Sequence, residues 1–218
     1  SGIESVLGST GTDTLTLLAA GAVSVSGGES VMGASGTDTL TLLAAGSVAI
    51  SGVESLLGTT GTDVVTLLAD GSLSASAIET VLGTTGADRL TLLAAASVSI
   101  SNEDTVTSTT DTDTVTKQHD GTQALSAVER VVGTTGAARL TLLAASAVEV
   151  SAIDTLTGST GTDTLTLLAA SNISLSGVES VVGSTGSDAV TLMAAGHQRA
   201  TAVETVVGST GLDTLTLL

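Results

Sequence analysis

An acidic residue stands at Glu4, Glu29, Glu54, Glu79, Asp104, Glu129, Asp154, Glu179 and Glu204, and every interval is 25 residues with no insertion or deletion. A globular domain tolerates loops of uneven length, so it has no reason to keep such spacing. A solenoid must keep it, because each coil rests on the one before. The recurrence therefore predicts a single repeat array over residues 1–218, with units starting at 4, 29, 54, 79, 104, 129, 154, 179 and 204.

A consensus unit reads ESVVGSTGTDTLTLLAAGSVSVSGV. Three stretches in it, ESVL, TDTLTLL and SVSVS, alternate small polar and aliphatic residues, the period-two pattern of a half-buried strand. GSTG, AAG and SG lie between them and supply corners. The expected fold is all-β: a parallel β-solenoid of about nine 25-residue coils, each with three short strands. Three aliphatic columns mark its core. The first runs from Val6 and Val31 to Val206, and the second from Leu15 and Leu40 to Leu215. The third runs from Leu17 and Leu42 to Leu217, broken only by Lys117. With no Phe, Trp, Tyr, Pro or Cys in the chain, the core has to come from aliphatic residues stacked along the axis.

The net charge is −17, with 22 acidic and five basic residues. Nucleic acid and anionic membrane call for basic patches, so neither is expected as a partner, and no apolar run is long enough for membrane insertion. Seventeen of the acidic residues fall into two columns, the one above and Asp13, Asp38, Asp63, Asp88, Asp113, Asp163, Asp188 and Asp213. Stacked in register, like carboxylates would lie about 4.8 Å apart and repel by roughly 3 kcal/mol per contact. A bound cation would relieve that repulsion.

The segment Gly8-Ser9-Thr10-Gly11-Thr12-Asp13-Thr14-Leu15-Thr16 resembles the calcium-binding nonapeptide G-G-x-G-x-D-x-U-x of RTX (repeats-in-toxin) proteins. It departs at the second Gly, which is Ser, Thr or Ala in every unit. The resemblance implies Ca2+ between loops of successive coils, held at the Asp column with Gly8, Gly33, Gly58, Gly83, Gly158, Gly183 and Gly208 shaping the loops. The Glu/Asp column starting at Glu4 is a possible second ladder. For both columns the alternative is hydrogen bonding to the turn backbone or exposure to solvent, and for the Glu column that alternative is preferred.

The unit 104–128 diverges. Ser108 and Asp111 replace its loop glycines, and Lys117, Gln118 and His119 replace Leu, Leu and Ala. Ala138 takes the Asp slot of the next loop. A specialised site would draw on Glu103, Asp104, Asp111, Lys117, His119 and Asp120. The preferred reading is a decayed repeat, with Lys117 turned outward or paired with a neighbour such as Glu103, and with metal occupancy weakest from Asp113 to Ala138.

Identical carboxylate pairs in every unit do not make the asymmetric constellation that catalysis needs, so the chain is read as no enzyme. An unbroken threonine column, Thr16, Thr41, Thr66, Thr91, Thr116, Thr141, Thr166, Thr191 and Thr216, resembles the T-x-T ladder of ice-binding solenoids. Its partner column is interrupted by Val64, Arg89, Arg139 and Ala189. Neither end of the chain carries a polar cap. The function expected is a structural, extracellular or cell-surface rod that assembles with itself end to end into filaments, stabilised by calcium. An ice-binding rod and a passive spacer in a surface adhesin are the alternatives.

Overall fold

A computed structural model describes residues 4–9, 11–27, 30–102, 104–109, 112–134 and 136–218. Among them there are 26 strands of three to six residues and no helix, so no helix is long and apolar enough to cross a membrane. The fold is a parallel β-solenoid, with three strands in each 25-residue unit as the alternation predicts.

The expected coil was wrong. Ala22–Ser26 pairs in parallel with Ser5–Leu7 and with Thr39–Leu42, whereas the strands next to it in sequence belong to the other sheet. Each turn thus has two strands, one per sheet, and a unit of three strands advances one and a half turns. The chain makes about twelve turns of two strands rather than nine of three. The composition supplies a physical reason. A three-sided coil encloses a wide lumen that needs bulky side chains to reach native packing density. Two facing sheets about 10 Å apart are filled mostly by Val, Leu and Ile.

The half-integer advance also rearranges the core columns. Residues 25 apart fall on opposite sheets, so side chains of the same repeat position do not stack on one another. Leu40 sits between Val23 and Leu56, and Leu165 between Val148 and Val181. The third strand of each unit adds a further inward pair such as Val48 and Ile50, and the corner adds Val53, Ile78, Ile153 and Val178, all buried. Each fully buried aliphatic side chain contributes roughly 1.5–3 kcal/mol.

The chain forms two compact units, residues 1–111 and 112–218. In the second, Lys117 occupies an inward core position and is buried. Of the two readings given for it, the outward turn is corrected, and the pairing with Glu103 falls outside the described residues: the alternation of Thr114–Lys117 fixes which face each residue takes, whatever its polarity. Gln123 and Gln198 are buried at inward strand positions in the same way.

Corner geometry asks for a left-handed residue once per unit. Gly27, Gly52 and Gly177 fill that slot with φ between +63° and +69°, but Ala77, Ala127, Ala152 and Ala202 adopt φ of +51° to +54°. A left-handed non-glycine residue costs about 1–2 kcal/mol, partly offset by the lower chain entropy of alanine when unfolded. Ala152→Gly is therefore expected to stabilise the protein by about 0.5–1 kcal/mol, seen as a higher melting temperature. A lower one would show that the slot is unstrained.

Candidate functional site

The repeated loop is built around its aspartate. At Asp63, Oδ2 accepts the N–H of Thr59 at 2.7 Å and the Thr59 hydroxyl at 2.8 Å, and that hydroxyl in turn accepts the N–H of Gly61 at 3.0 Å. Oδ1 accepts the N–H of Gly46, from the preceding turn, at 3.0 Å. The Asp63 N–H donates to Glu79 Oε2 of the following turn at 2.8 Å, and the Asp63 carbonyl accepts the N–H groups of Glu79 and Thr80. One residue so ties three successive turns together.

The arrangement recurs at Asp38, Asp88, Asp163 and Asp188. These carboxylates are at most 1% exposed, and Asp113 is buried as fully. Asp13 and Asp213 are half-buried and keep the bond to their own loop, from Ser9 and Ser209. The second acidic column caps the first: Glu54, Glu79, Asp104, Glu129, Glu179 and Glu204 each accept the N–H of an aspartate. Asp154 accepts that of Ala138. Glu29 lies outside the described residues. Glu4 is exposed.

The loop glycines answer a steric demand. A Cβ on Gly33, Gly58, Gly158 or Gly183 would run into the carbonyl oxygen of Gly52, Ala77, Gly177 or Ala202 in the next turn. On Gly83 it would lie 2.9 Å from the Asn102 carbonyl oxygen. Gly8 meets Gly27 in the same way, and Gly208 packs against Asp213.

The expected carboxylate ladder is absent from this geometry. Successive aspartates lie at opposite edges of the sheets, and those on the same edge are three turns, about 14 Å, apart. The repulsion expected between stacked aspartates is thereby reduced, while each keeps the capping Glu or Asp of the second column one turn away. Nor do the aspartates fit a calcium loop, whose ligands are oxygens. Here two backbone N–H groups point at the carboxylates of Asp38, Asp63, Asp88, Asp163 and Asp188, joined by a hydroxyl at all of them but Asp38, a surrounding that satisfies an anion and opposes a cation. Among the described residues no three of His, Cys, Asp and Glu are grouped so as to hold a metal.

No family model, curated protein or solved structure matches the chain. The reading of the site rests on its own residues.

The departure from the nonapeptide at its second position held the missed signal. Ser9, Thr59, Thr84, Ser159, Ser184 and Ser209 stand there because the hydroxyl bridges the loop backbone to the aspartate. Where the aspartate is lost the backbone substitutes for it. Beside Ala138, the N–H of Gly121 turns to the carbonyl of Ala137 at 3.1 Å, and the strands Gly121–Ser126 and Ala138–Leu142 each gain a residue at that end.

Of the residues suggested for a specialised site, the described ones take different places. Lys117 faces inward, while His119 and Asp120 are exposed on the corner. The Asp120 carboxylate accepts the Thr134 hydroxyl at 2.7 Å. Asp104 is exposed, and Glu103 and Asp111 lie outside the described residues. The threonine column is split between the two sheets, so Thr41 and Thr66 face opposite sides and the T-x-T strands on one side are separated by strands of other sequence.

Proposed function

We propose that the chain is a structural, non-catalytic β-solenoid protein of the cell surface or extracellular space, whose strand edges take further copies of the same repeat and so build filaments. The observation that carries this reading is the aspartate corner. The aspartates recur in eight of the nine units, and the interior ones are buried and engaged in joining turn to turn. The RTX resemblance enters as a shared corner phrase, with N–H donors in place of an ion.

The test is sedimentation of the 218-residue chain in millimolar calcium and after chelation with EGTA. Polymer that persists unchanged in EGTA is the expected result. Polymer that dissolves on chelation would restore calcium as the clamp, and monomer in both would remove self-assembly in favour of a spacer.

A further inference from the structure

Lys117 is the one lysine of the chain, and at 5% exposure it lies in the core. It closes the strand Thr114–Lys117 at an inward position. The chain then rounds a corner, 118–120, and enters the opposite sheet as Gly121–Ser126, whose first buried residue is Gln123 at 2% exposure. Every other unit has Leu in the slot of Lys117, and that of Gln123 holds Val, Leu or Ile, with Gln198 the exception. The two slots face each other over the corner: Leu67 and Leu73 line one cavity there, and Leu192 and Gln198 line another. In this one unit an amine and a carboxamide are therefore set against each other where the rest have hydrocarbon. The Gln123 Nε2 is buried and has no hydrogen-bond partner among the described residues.

The same corner has lost its tie to the next turn. At the equivalent corners the N–H of Gly71, Ser146 or Ser171 donates to an aspartate of the following loop, Asp88, Asp163 or Asp188. Here Ala138 stands in the aspartate slot, and the Gly121 N–H turns to the Ala137 carbonyl instead. So the two polar core residues flank the corner from which the carboxylate is missing. Left as they are, a lysine and an unpartnered amide nitrogen in a hydrocarbon core are costly. We propose that Lys117 and Gln123 supply a covalent tie in place of the lost one: an internal isopeptide bond between Lys117 Nζ and Gln123 Cδ.

The reaction needs no oxidant, cofactor or second substrate. The neutral amine nitrogen attacks Cδ, the Cδ–Nε2 bond breaks, a proton passes from the amine to Nε2, and ammonia leaves. A lysine taken out of water gives up its proton more readily and becomes a nucleophile, and the fold holds the two groups together as one molecule. The sheets are about 10 Å apart, a gap that a lysine and a glutamine fill end to end. Ammonia can leave by the corner, where His119 and Asp120 are exposed. Gln118 is outside the reaction, because it lies exposed beside the inward Lys117. Gln198 is the control within the chain. It occupies the slot of Gln123 but faces Leu192, and its Nε2 donates to the Arg199 carbonyl at 3.2 Å. The bond is formed inside one chain, so it does not depend on self-assembly.

The test is high-resolution mass spectrometry of the folded, purified 218-residue chain. The expected intact mass is about 17 Da below that of the sequence, the loss of one ammonia. Trypsin then locates the bond after denaturation. An unlinked chain is cut after Lys117 and gives peptides 90–117 and 118–130. A linked Lys117 resists trypsin, so 90–130 stays in one piece and carries the whole deficit. Lys117→Leu and Gln123→Val restore residues that the repeat itself uses in those slots, and both are expected at full mass, with Gln123→Val cut after Lys117. A wild-type chain at full mass overturns the inference, leaving at most a hydrogen bond between the two side chains. A deficit that persists in Gln123→Val overturns it as well, as does one that maps outside 90–130. So does a deficit of about 18 Da, the loss of water, which would make a carboxylate the partner of the lysine.

Discussion

Replacing Asp163 by alanine is expected to destabilise the protein by about 3–5 kcal/mol, because two half-buried backbone N–H groups and a hydroxyl lose their acceptor at once. These are the N–H of Ser146, 2.8 Å from Oδ1, and that of Ser159, 2.7 Å from Oδ2. The Ser159 hydroxyl, at 2.9 Å, loses its acceptor as well. The chain shows how such a loss can be relieved, since beside Ala138 the N–H of Gly121 reaches a neighbouring carbonyl with φ at +115°. Ser146 carries a side chain and is disfavoured in that region. Gly46, the donor to Asp63, is free to follow Gly121. Asp63→Ala should therefore cost less than Asp163→Ala, by about 1–2 kcal/mol. Urea unfolding gives the stabilities, and amide hydrogen exchange at Ser146 and Ser159 locates the damage. Equal losses at the two sites would remove the backbone-rescue argument. Recovery of stability on adding calcium would turn the corner back into a metal loop.

The second large effect lies at Gly158. A methyl group there meets the Gly177 carbonyl, with its carbon at 2.6 Å, and Asp163 Oδ2 at 2.9 Å. The obstacle is backbone, so no rotamer change relieves it, and two turns must separate. Gly158→Ala is expected to cost about 3 kcal/mol or more. Gly71→Ala is the control. It changes the same residue type at a corner, but the nearest atom is the Ala69 carbonyl oxygen at 4.0 Å, and Ser146 and Ser171 already fill that slot. Its cost should stay within about 0.5–1 kcal/mol. Thermal melting of the pair separates close approach from a general need for glycine: comparable losses would sink the steric account.

Much of the fold was legible because solenoid stacking leaves a direct trace in sequence. The interval of 25, the three alternating stretches and the inward aliphatic positions all follow from period-two strands under a fixed corner. The number of turns per unit was not legible. Three strands satisfy the same alternation whether they close one three-sided turn or make one and a half two-sided turns, and only the bulk of the interior side chains separates the two. At the site, Asp and Gly suit both a metal loop and a hydrogen-bonded corner, so their recurrence could not decide between them. The residue that could was the Ser or Thr four positions before the aspartate. Lys117 misled for another reason. Its charge argued for solvent, yet one strand position cannot turn outward without taking its neighbours with it.

Half-integer advance also separates the unit of heredity from the unit of structure. Duplicating 25 residues by unequal recombination carries every downstream strand to the opposite sheet, so that a face assembled by selection is broken at the insertion point. Duplicating 50 leaves all faces in place. Lineages that gain or lose copies by twos can hold a specialised surface on one sheet. Those that change by ones keep only what both surfaces share, and a parity rule of that kind would govern how long such a chain can grow while still presenting a particular side.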